Sequence, residues 1–284
     1  MARKKGRGTD YDSFYYGRCL NLNQTEAYRR DERWLNFFGT IADRIVRDFG
    51  PQTVLDAGCA MGFLVEALRD RGVEAYGIDI SEYALAQVRE DIRPYCRKAS
   101  VTAALKRKYD LIVCIETLEH LPKRDAEHAV QNFCAHTGDV LFSSTPHDYK
   151  EATHVNVMPR DYWAELFARL GFVHDLDYDP STYLSPWAVR FRKSQEGLPR
   201  VAATYERVLA RYQDENVALR ELVLELRRQT ERADGLEAEL TTVRSSSAYR
   251  LAERVASLRR RLAPRDSRRG RLISQLAARI SGSP

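Results

Sequence analysis

The stretch Asp56-Ala57-Gly58-Cys59-Ala60-Met61-Gly62 places one carboxylate ahead of a run of small residues. Apolar Val54-Leu55 leads into it, and Phe63-Leu64-Val65-Glu66-Ala67-Leu68-Arg69 follows with the pattern of a helix that buries one side. This reads as strand, tight loop and helix, with a loop that lets a ligand approach the backbone. Ala75-Tyr76-Gly77-Ile78-Asp79-Ile80 reads as a second buried strand ending in an acid. Strand, glycine loop, helix, strand and terminal carboxylate together describe a nucleotide-type crevice. A dinucleotide site needs G-x-G-x-x-G. Counting from Gly58, the chain offers Ala60 and then Phe63, and Gly62 comes one residue early. No G-x-x-x-x-G-K-[ST] run is present, which excludes a P-loop.

The elements that must hold these residues alternate along the chain. A helix over residues 26–49 shows Trp34, Phe37, Phe38, Ile41, Ala42, Ile45 and Val46 on one face, and Gly50-Pro51 stops it. Upstream, Tyr11, Phe14, Tyr15, Tyr16, Tyr28 and Arg29 form an aromatic, basic segment that either covers a ligand site or caps the core. Strands are expected at 53–58, 75–80, 96–101, 109–115 and 140–144, with helices at 62–71, from Ser81, at 125–135 and at 160–170. Two last strands, at 172–178 and 187–192, have no helix between them. The expected fold is therefore α/β, a mostly parallel seven-stranded sheet with an antiparallel hairpin at its edge. The apolar strand Tyr109–Ile115 should lie mid-sheet.

These residues resemble class I S-adenosylmethionine-dependent methyltransferases, whose Rossmann-like domain opens with a D-x-G-x-G-x-G motif. Asp56, Gly58, Ala60 and Gly62 match it, with Ala60 in place of the middle glycine. Asp79 matches the acid that closes the second strand, about 17 residues after Gly62, near the ~20 residues of a ribose-binding acid. The resemblance covers roughly residues 10–193 and implies S-adenosylmethionine as cofactor. Backbone N–H groups of the loop then meet its methionine carboxylate. Asp79 accepts from the ribose hydroxyls, and Asp56 orients the loop or holds the ammonium end. Ile80 and Ser100 join the cofactor side, Ser100-Val101 as the adenine region.

The resemblance places the chemistry on Ile115-Glu116-Thr117-Leu118-Glu119-His120-Leu121. It implies that Glu116 lies against the cofactor and that His120, with Glu119, faces the point of methyl transfer. There a base takes the proton of a hydroxyl acceptor as the new bond forms. Glu-x-x-Glu-His also resembles the metal-binding pattern of ubiquinone-biosynthesis O-methyltransferases and of small-RNA 3′-terminal 2′-O-methyltransferases. In the RNA enzymes a second histidine follows a later strand, and here Ser144-Thr145-Pro146 leads on to His154. Positions i, i+3 and i+4 share one face of a helical turn, so Glu116, Glu119 and His120 are expected to converge, with His154 completing the set. Such donors suit Mg²⁺ or, better, Mn²⁺, which binds a vicinal diol and lowers a hydroxyl pKa. The alternative leaves Glu119 as a partner of His120 and His154 as a loop residue. His147 is an adjacent candidate, while His128, His136 and His174 are read as solvent-facing.

Glu-x-x-Glu-His, Ser-Ser-Thr-Pro-His, Thr153-His154-Val155 and Trp187-Ala188, in that order, resemble bacterial methyltransferases found with surface-polysaccharide and glycosylation systems. The acceptor implied is a hydroxyl of a sugar, glycan or related small molecule. The runner-up is an RNA-terminal methyltransferase whose arginine-rich end grips phosphates. A scaffold that keeps the fold without activity is a third reading, against which Asp56, Gly58, Gly62, Asp79 and His120 all stand.

Five cysteines, odd in number and without a C-x-x-C pair, fit free thiols in a reducing cytoplasm. The basic start, residues 1–10, reads as disordered and has no apolar segment behind it, unlike a secretory signal. A methyltransferase domain over 11–195 is followed by a coiled coil over 200–244. There Val201, Tyr205, Val208, Tyr212, Leu219, Leu222 and Leu226 keep three- and four-residue steps, with Glu215 and Gln229 at seam positions. Self-association is expected from it. The basic amphipathic tail over 248–284 holds most of the excess charge. From Arg244 onward eleven arginines face Glu253 and Asp266, near +9, so the remainder of a +5 chain is near −4. Any anionic partner, including the inner face of a membrane, is to be sought at that end.

Overall fold

The computed structural model describes residues 11–18, 27–264 and 267–273. The start at 1–10, Cys19, and the end of the tail with Leu276 and Ile280 lie outside the described residues. Seven short strands build one sheet: β1 (Thr53–Ala57), β2 (Glu74–Asp79), β3 (Cys96–Lys98), β4 (Leu111–Ile115), β5 (Asp139–Ser143), β6 (Phe172–His174) and β7 (Val189–Lys193). Their order is β3-β2-β1-β4-β5-β7-β6. The first five run parallel, and β7 is antiparallel to both β5 and β6. The expected edge hairpin is present with one refinement: β7 inserts beside β5, leaving β6 outermost. Arg190 on β7 fixes that insertion by pairing with Asp139 on β5 and with Asp175.

Alternate side chains of β1 enter opposite cores, as a strand with two covered faces requires. Leu55, Ile112 and Phe142 pack under α5 (Lys123–His136) and α6 (Arg160–Ala168), against Phe133 and Phe167. Val54, Val113 and Leu141 pack under α2 (Glu32–Phe49) and α3 (Phe63–Arg69), against Ile45 and Leu68. α2 begins at Glu32, later than the expected residue 26, because the Asp31 side chain accepts from the Trp34 N–H and caps it. Gly50 closes the helix in the left-handed conformation at φ 57°. α4 (Glu82–Ala86) starts as expected, with Ser81 accepting from the Ala84 N–H. The aromatic segment around α1 (Ser13–Arg18) caps the core beside the glycine loop. Tyr15, Tyr16 and Tyr28 are buried against Met61 and Phe63, so they extend the core.

His174 is not solvent-facing as expected. It is half-buried at the sheet edge with its ring 6.0 Å from that of Phe191. Burial, then the Arg160 charge, lowers its pKa from 6.5 to about 4. The depressed value means that neutral His174 favours the fold above pH 6.5 and that this contribution is lost as pH falls toward 4. Urea midpoints across that window are expected to drop by roughly 2–3 kcal/mol of stability from this group, and His174→Gln to flatten that part of the slope.

Beyond the sheet, α7 (Leu198–Ser245) runs unbroken for 48 residues and α8 (Ser247–Leu262) follows, capped by Ser246. The chain divides into two units after Tyr205, inside α7, so no linker separates domain from helix. From Leu209 to its end every residue of α7 is exposed. Among the described residues no helix is long and apolar enough to cross a membrane.

Candidate active site

Because β1 to β5 run parallel, the carboxyl ends of all five open onto one edge. The strand order reverses between β1 and β4, and ligands in such sheets bind at that switch point. The loop after β1 carries Gly58 to Gly62, and the loop after β4 carries Glu116 to His120.

The first loop is held open by backbone geometry. Gly58, Ala60 and Gly62 all take positive φ, at 93°, 46° and 70°. The Gly58 and Cys59 N–H groups donate to the Ile78 carbonyl at 2.8 and 3.0 Å, tying the loop to β2. Asp79 closes the circle: one carboxylate oxygen accepts from the Ala60 N–H and the other from the Ser81 N–H, both at 2.8 Å. Burial raises the Asp79 pKa despite these donors. Asp56 is more deeply buried, and burial, then Asp79, lifts its pKa to about 8. Ile80, beside Asp79, is exposed although apolar, and the Ala99 N–H donates to the Asp79 carbonyl at 2.9 Å. Ser100 therefore comes to the same edge, one turn beyond β3. Asp56, Gly58, Ala60, Gly62 and Asp79 of the expected cofactor side meet at this loop, while Glu116 lies in the loop after β4.

Gly58 is fixed by two independent constraints. Its φ of 93° disfavours a side chain, and an added Cβ would lie 2.2 Å from Thr117 Oγ1 in the second loop. Gly58→Ala is expected to cost about 2–4 kcal/mol from left-handed strain and overpacking together. An unchanged urea midpoint would show that the two loops do not pack this way.

The second loop departs from expectation at Glu116. This residue has φ 46°, and only Leu118–His120 forms a short 3-10 turn, so positions 116, 119 and 120 do not line one helical face. Glu116 Oε1 instead accepts from Ser143 Oγ at 2.6 Å and Trp187 Nε1 at 2.7 Å. It is not part of the ligand cluster. Glu119, His120 and His154 are, with one ligand atom from each lying within 4.8 Å of the others. The exposed His147 lies outside that group.

Glu119 is wholly buried, and neither of its carboxylate oxygens makes a hydrogen bond of ordinary geometry, with Glu116 and Ser144 as its polar neighbours. Burial and the neighbouring Glu116 carboxylate push its pKa far above the ordinary range. Buried Glu66 on α3 shows the usual remedy, with Arg30 at 2.7 Å and Arg89 at 3.2 Å supplying counter-charge. Glu119 has two imidazoles instead. Burial, then His154, lowers His120 to a pKa of about 4, so it is neutral at pH 7 with a lone pair to offer. His154 Nδ1 lies 2.8 Å from the Asp148 carbonyl, which fixes its tautomer and leaves Nε2 as the acceptor.

Two contacts to His120 are not visible in sequence. Thr153 Oγ1 lies 3.0 Å from its Nδ1 and the Tyr15 hydroxyl 3.3 Å from its Nε2. Tyr11 links the end of β2 to the second loop: Ser81 Oγ donates to its carbonyl at 2.5 Å, and its ring lies 5.8 Å from that of His120. Burial, then the Asp79 and Glu119 charges, raises its hydroxyl pKa to about 12. Only the aromatic run before Arg18 signalled these partners.

Residues 26–175 match the family model described as a methyltransferase domain. Among curated proteins the chain is similar to the ubiquinone biosynthesis O-methyltransferase of Methylococcus capsulatus, 29% identical over 147 residues, or 47% of this chain and 60% of that protein. The protein of the same name from Azoarcus sp. is 34% identical over 106 residues, 34% of this chain and 46% of its own length. The chain thus spans only about half the length of the curated relatives it matches. Among solved structures, magnesium protoporphyrin IX methyltransferase from Synechocystis is 18% identical, with TM-score 0.47, covering 63% of this chain and 91% of that one. The sugar N-methyltransferase KedS8 from Streptoalloteichus is 14% identical, with TM-score 0.48, covering 69% and 97%. With the family model spanning more than half of the sequence and the loops arranged about the switch point, the chain belongs to the class I S-adenosylmethionine-dependent methyltransferases.

Proposed function

We propose that this chain transfers the methyl group of S-adenosylmethionine to a hydroxyl of a sugar or glycan, with a divalent ion held by Glu119, His120 and His154. One observation carries the ion: a fully buried carboxylate with no counter-charge and no hydrogen bond of ordinary geometry, clustered with two imidazoles. One carboxylate and two imidazoles favour Mn²⁺ over Mg²⁺. When bound, such an ion supplies positive charge that acidifies a neighbouring hydroxyl.

The protein's own groups do the rest. The glycine loop and Asp79 would hold the cofactor, whose sulfonium would supply the methyl group. The acceptor oxygen attacks that carbon, the new O–CH₃ bond forms as the S–CH₃ bond breaks, and the hydroxyl proton passes to a base. His120, neutral at pH 7, keeps its one lone pair for the ion, steadied by Thr153 and Tyr15, so that base is solvent acting on the acidified hydroxyl. Tyr11 and Tyr15 flank the His120 ring. The O-methyltransferase names of the curated relatives support a hydroxyl acceptor, and a vicinal diol is the group that such an ion chelates.

The test is transfer of tritium from methyl-labelled S-adenosylmethionine to nucleotide sugars, glycans and short RNAs, with and without Mn²⁺. Labelled sugar that disappears on chelation supports the proposal. Label confined to RNA 3′ ends would replace the acceptor, and transfer that survives thorough chelation would remove the ion.

A further inference from the structure

The exposed seam of α7 fits a second copy of this chain better than any other occupant. Tyr212, Leu219, Leu226 and Leu240 recur at one heptad position, with Leu222 and Leu236 at the other. Each is between 47% and 59% exposed, and a row of large apolar side chains this long marks an interaction surface. The seam is a helix edge; flanking charges decide its partner.

We propose that α7 pairs with α7 of another copy, parallel and in register. In that arrangement the residue just before one seam position meets, across the interface, the residue five places later. Arg232 of one copy then meets Glu237 of the other, and Glu239 meets Arg244, and symmetry repeats each attraction. Ala218 meets Val223, extending the apolar strip. Antiparallel pairing along the whole helix separates both charge pairs, and it can oppose Arg232 to Glu239 and Glu237 to Arg244 only in a stagger that overlaps the last turns and leaves the first half of the seam unpaired.

The polar seam positions agree with this arrangement. Gln229 faces its own counterpart, and two amides can hydrogen-bond to each other only when the helices are in register. Glu215 faces a like charge, but Arg211, one turn back, lies 4.0 Å from it and offsets the repulsion. α8 does not continue the seam. Around Val255 and Leu258 the same flanking positions are Arg254 and Arg259, which repel in parallel.

The experiment uses the full chain. Light scattering at micromolar concentration is expected to give a multiple of the 32.6 kDa chain mass. Leu222→Glu with Leu236→Glu should reduce it to one chain while cofactor binding by the α/β unit persists. Leu222→Cys and Leu236→Cys lie about 21 Å apart along the helix. Each should form an intermolecular disulfide with itself under an oxidant that leaves the wild type uncrosslinked. Glu239→Lys is expected to loosen the assembly about ten-fold, and adding Arg244→Glu to restore it. A monomeric wild-type chain overturns the proposal. So does an oligomer in which only one of the two cysteines links, or one that the second charge change fails to rescue.

Discussion

Glu119→Gln is expected to abolish divalent-ion binding and cut methyl transfer about 100-fold or more, while leaving the metal-free fold at least as stable as the wild type. The two halves of this result have one cause. The wild-type carboxylate is buried with neither oxygen in a hydrogen bond of ordinary geometry, so its charge, or the proton it takes up to avoid that charge, disfavours the folded state. Glutamine keeps the shape and removes the charge, and replacing an uncompensated buried ion by a neutral group is neutral or stabilising. An ion bound there reverses the sign, since a ligand that binds only the folded chain stabilises it. Losing even a hydrogen-bond partner of a metal ligand costs 10–100-fold, so loss of the ligand itself sets the lower bound. The measurements are a Mn²⁺ titration, kcat, and melting temperature with and without ion. A variant that melts well below the metal-free wild type would make Glu119 a structural acceptor instead.

His120→Ala is expected to lower kcat by about 100-fold or more, as loss of an ion ligand costs at least what loss of a ligand's hydrogen-bond partner does, with the affinity for S-adenosylmethionine unchanged. The split follows from geometry. His120 belongs to the loop after β4 and contacts Thr153, Tyr15 and His154, whereas the cofactor loop depends on Asp79, Ser81 and the β2 backbone. Tyr15→Phe and Thr153→Val should give smaller losses in the same parameter, because each removes one hydrogen bond that orients the imidazole. A His120→Ala protein that loses cofactor affinity as strongly as turnover would place the imidazole in the cofactor pocket.

The cofactor half of the site was legible because its signals are local. Asp56 to Gly62 is one continuous run, Asp79 ends the next apolar strand, and the alternation of strands with helices from β1 to β5, interrupted only between β3 and β4, determines which strand ends share an edge. The acceptor half was only partly legible. Glu119, His120 and His154 converge as their types suggested, whereas Glu116 borders Glu119 without joining that ligand set. Its φ of 46° is set by packing against Ser143 and Trp187, a tertiary effect that helical spacing cannot register. The Tyr15–His120 contact spans 105 positions and the Thr153–His120 contact spans 33, distances at which no periodicity carries information. His174 was misplaced for a related reason: a polar residue on a short edge strand looks solvated until the neighbouring Phe191 is known to cover it.

The hydrophobic seam of α7 was visible in sequence, but its orientation rests on which charges flank it. Arg232, Glu237, Glu239 and Arg244 carry that information.

Calorimetric titration with S-adenosylmethionine, comparing the wild type with Asp79→Ala, tests the central claim most directly. The wild type is predicted to bind at one site per chain, and Asp79→Ala to bind more weakly by about 1–3 kcal/mol through the loss of hydrogen bonds to a charged acceptor. Absence of heat from the wild type in large ligand excess, or equal affinity in the two proteins, would contradict it.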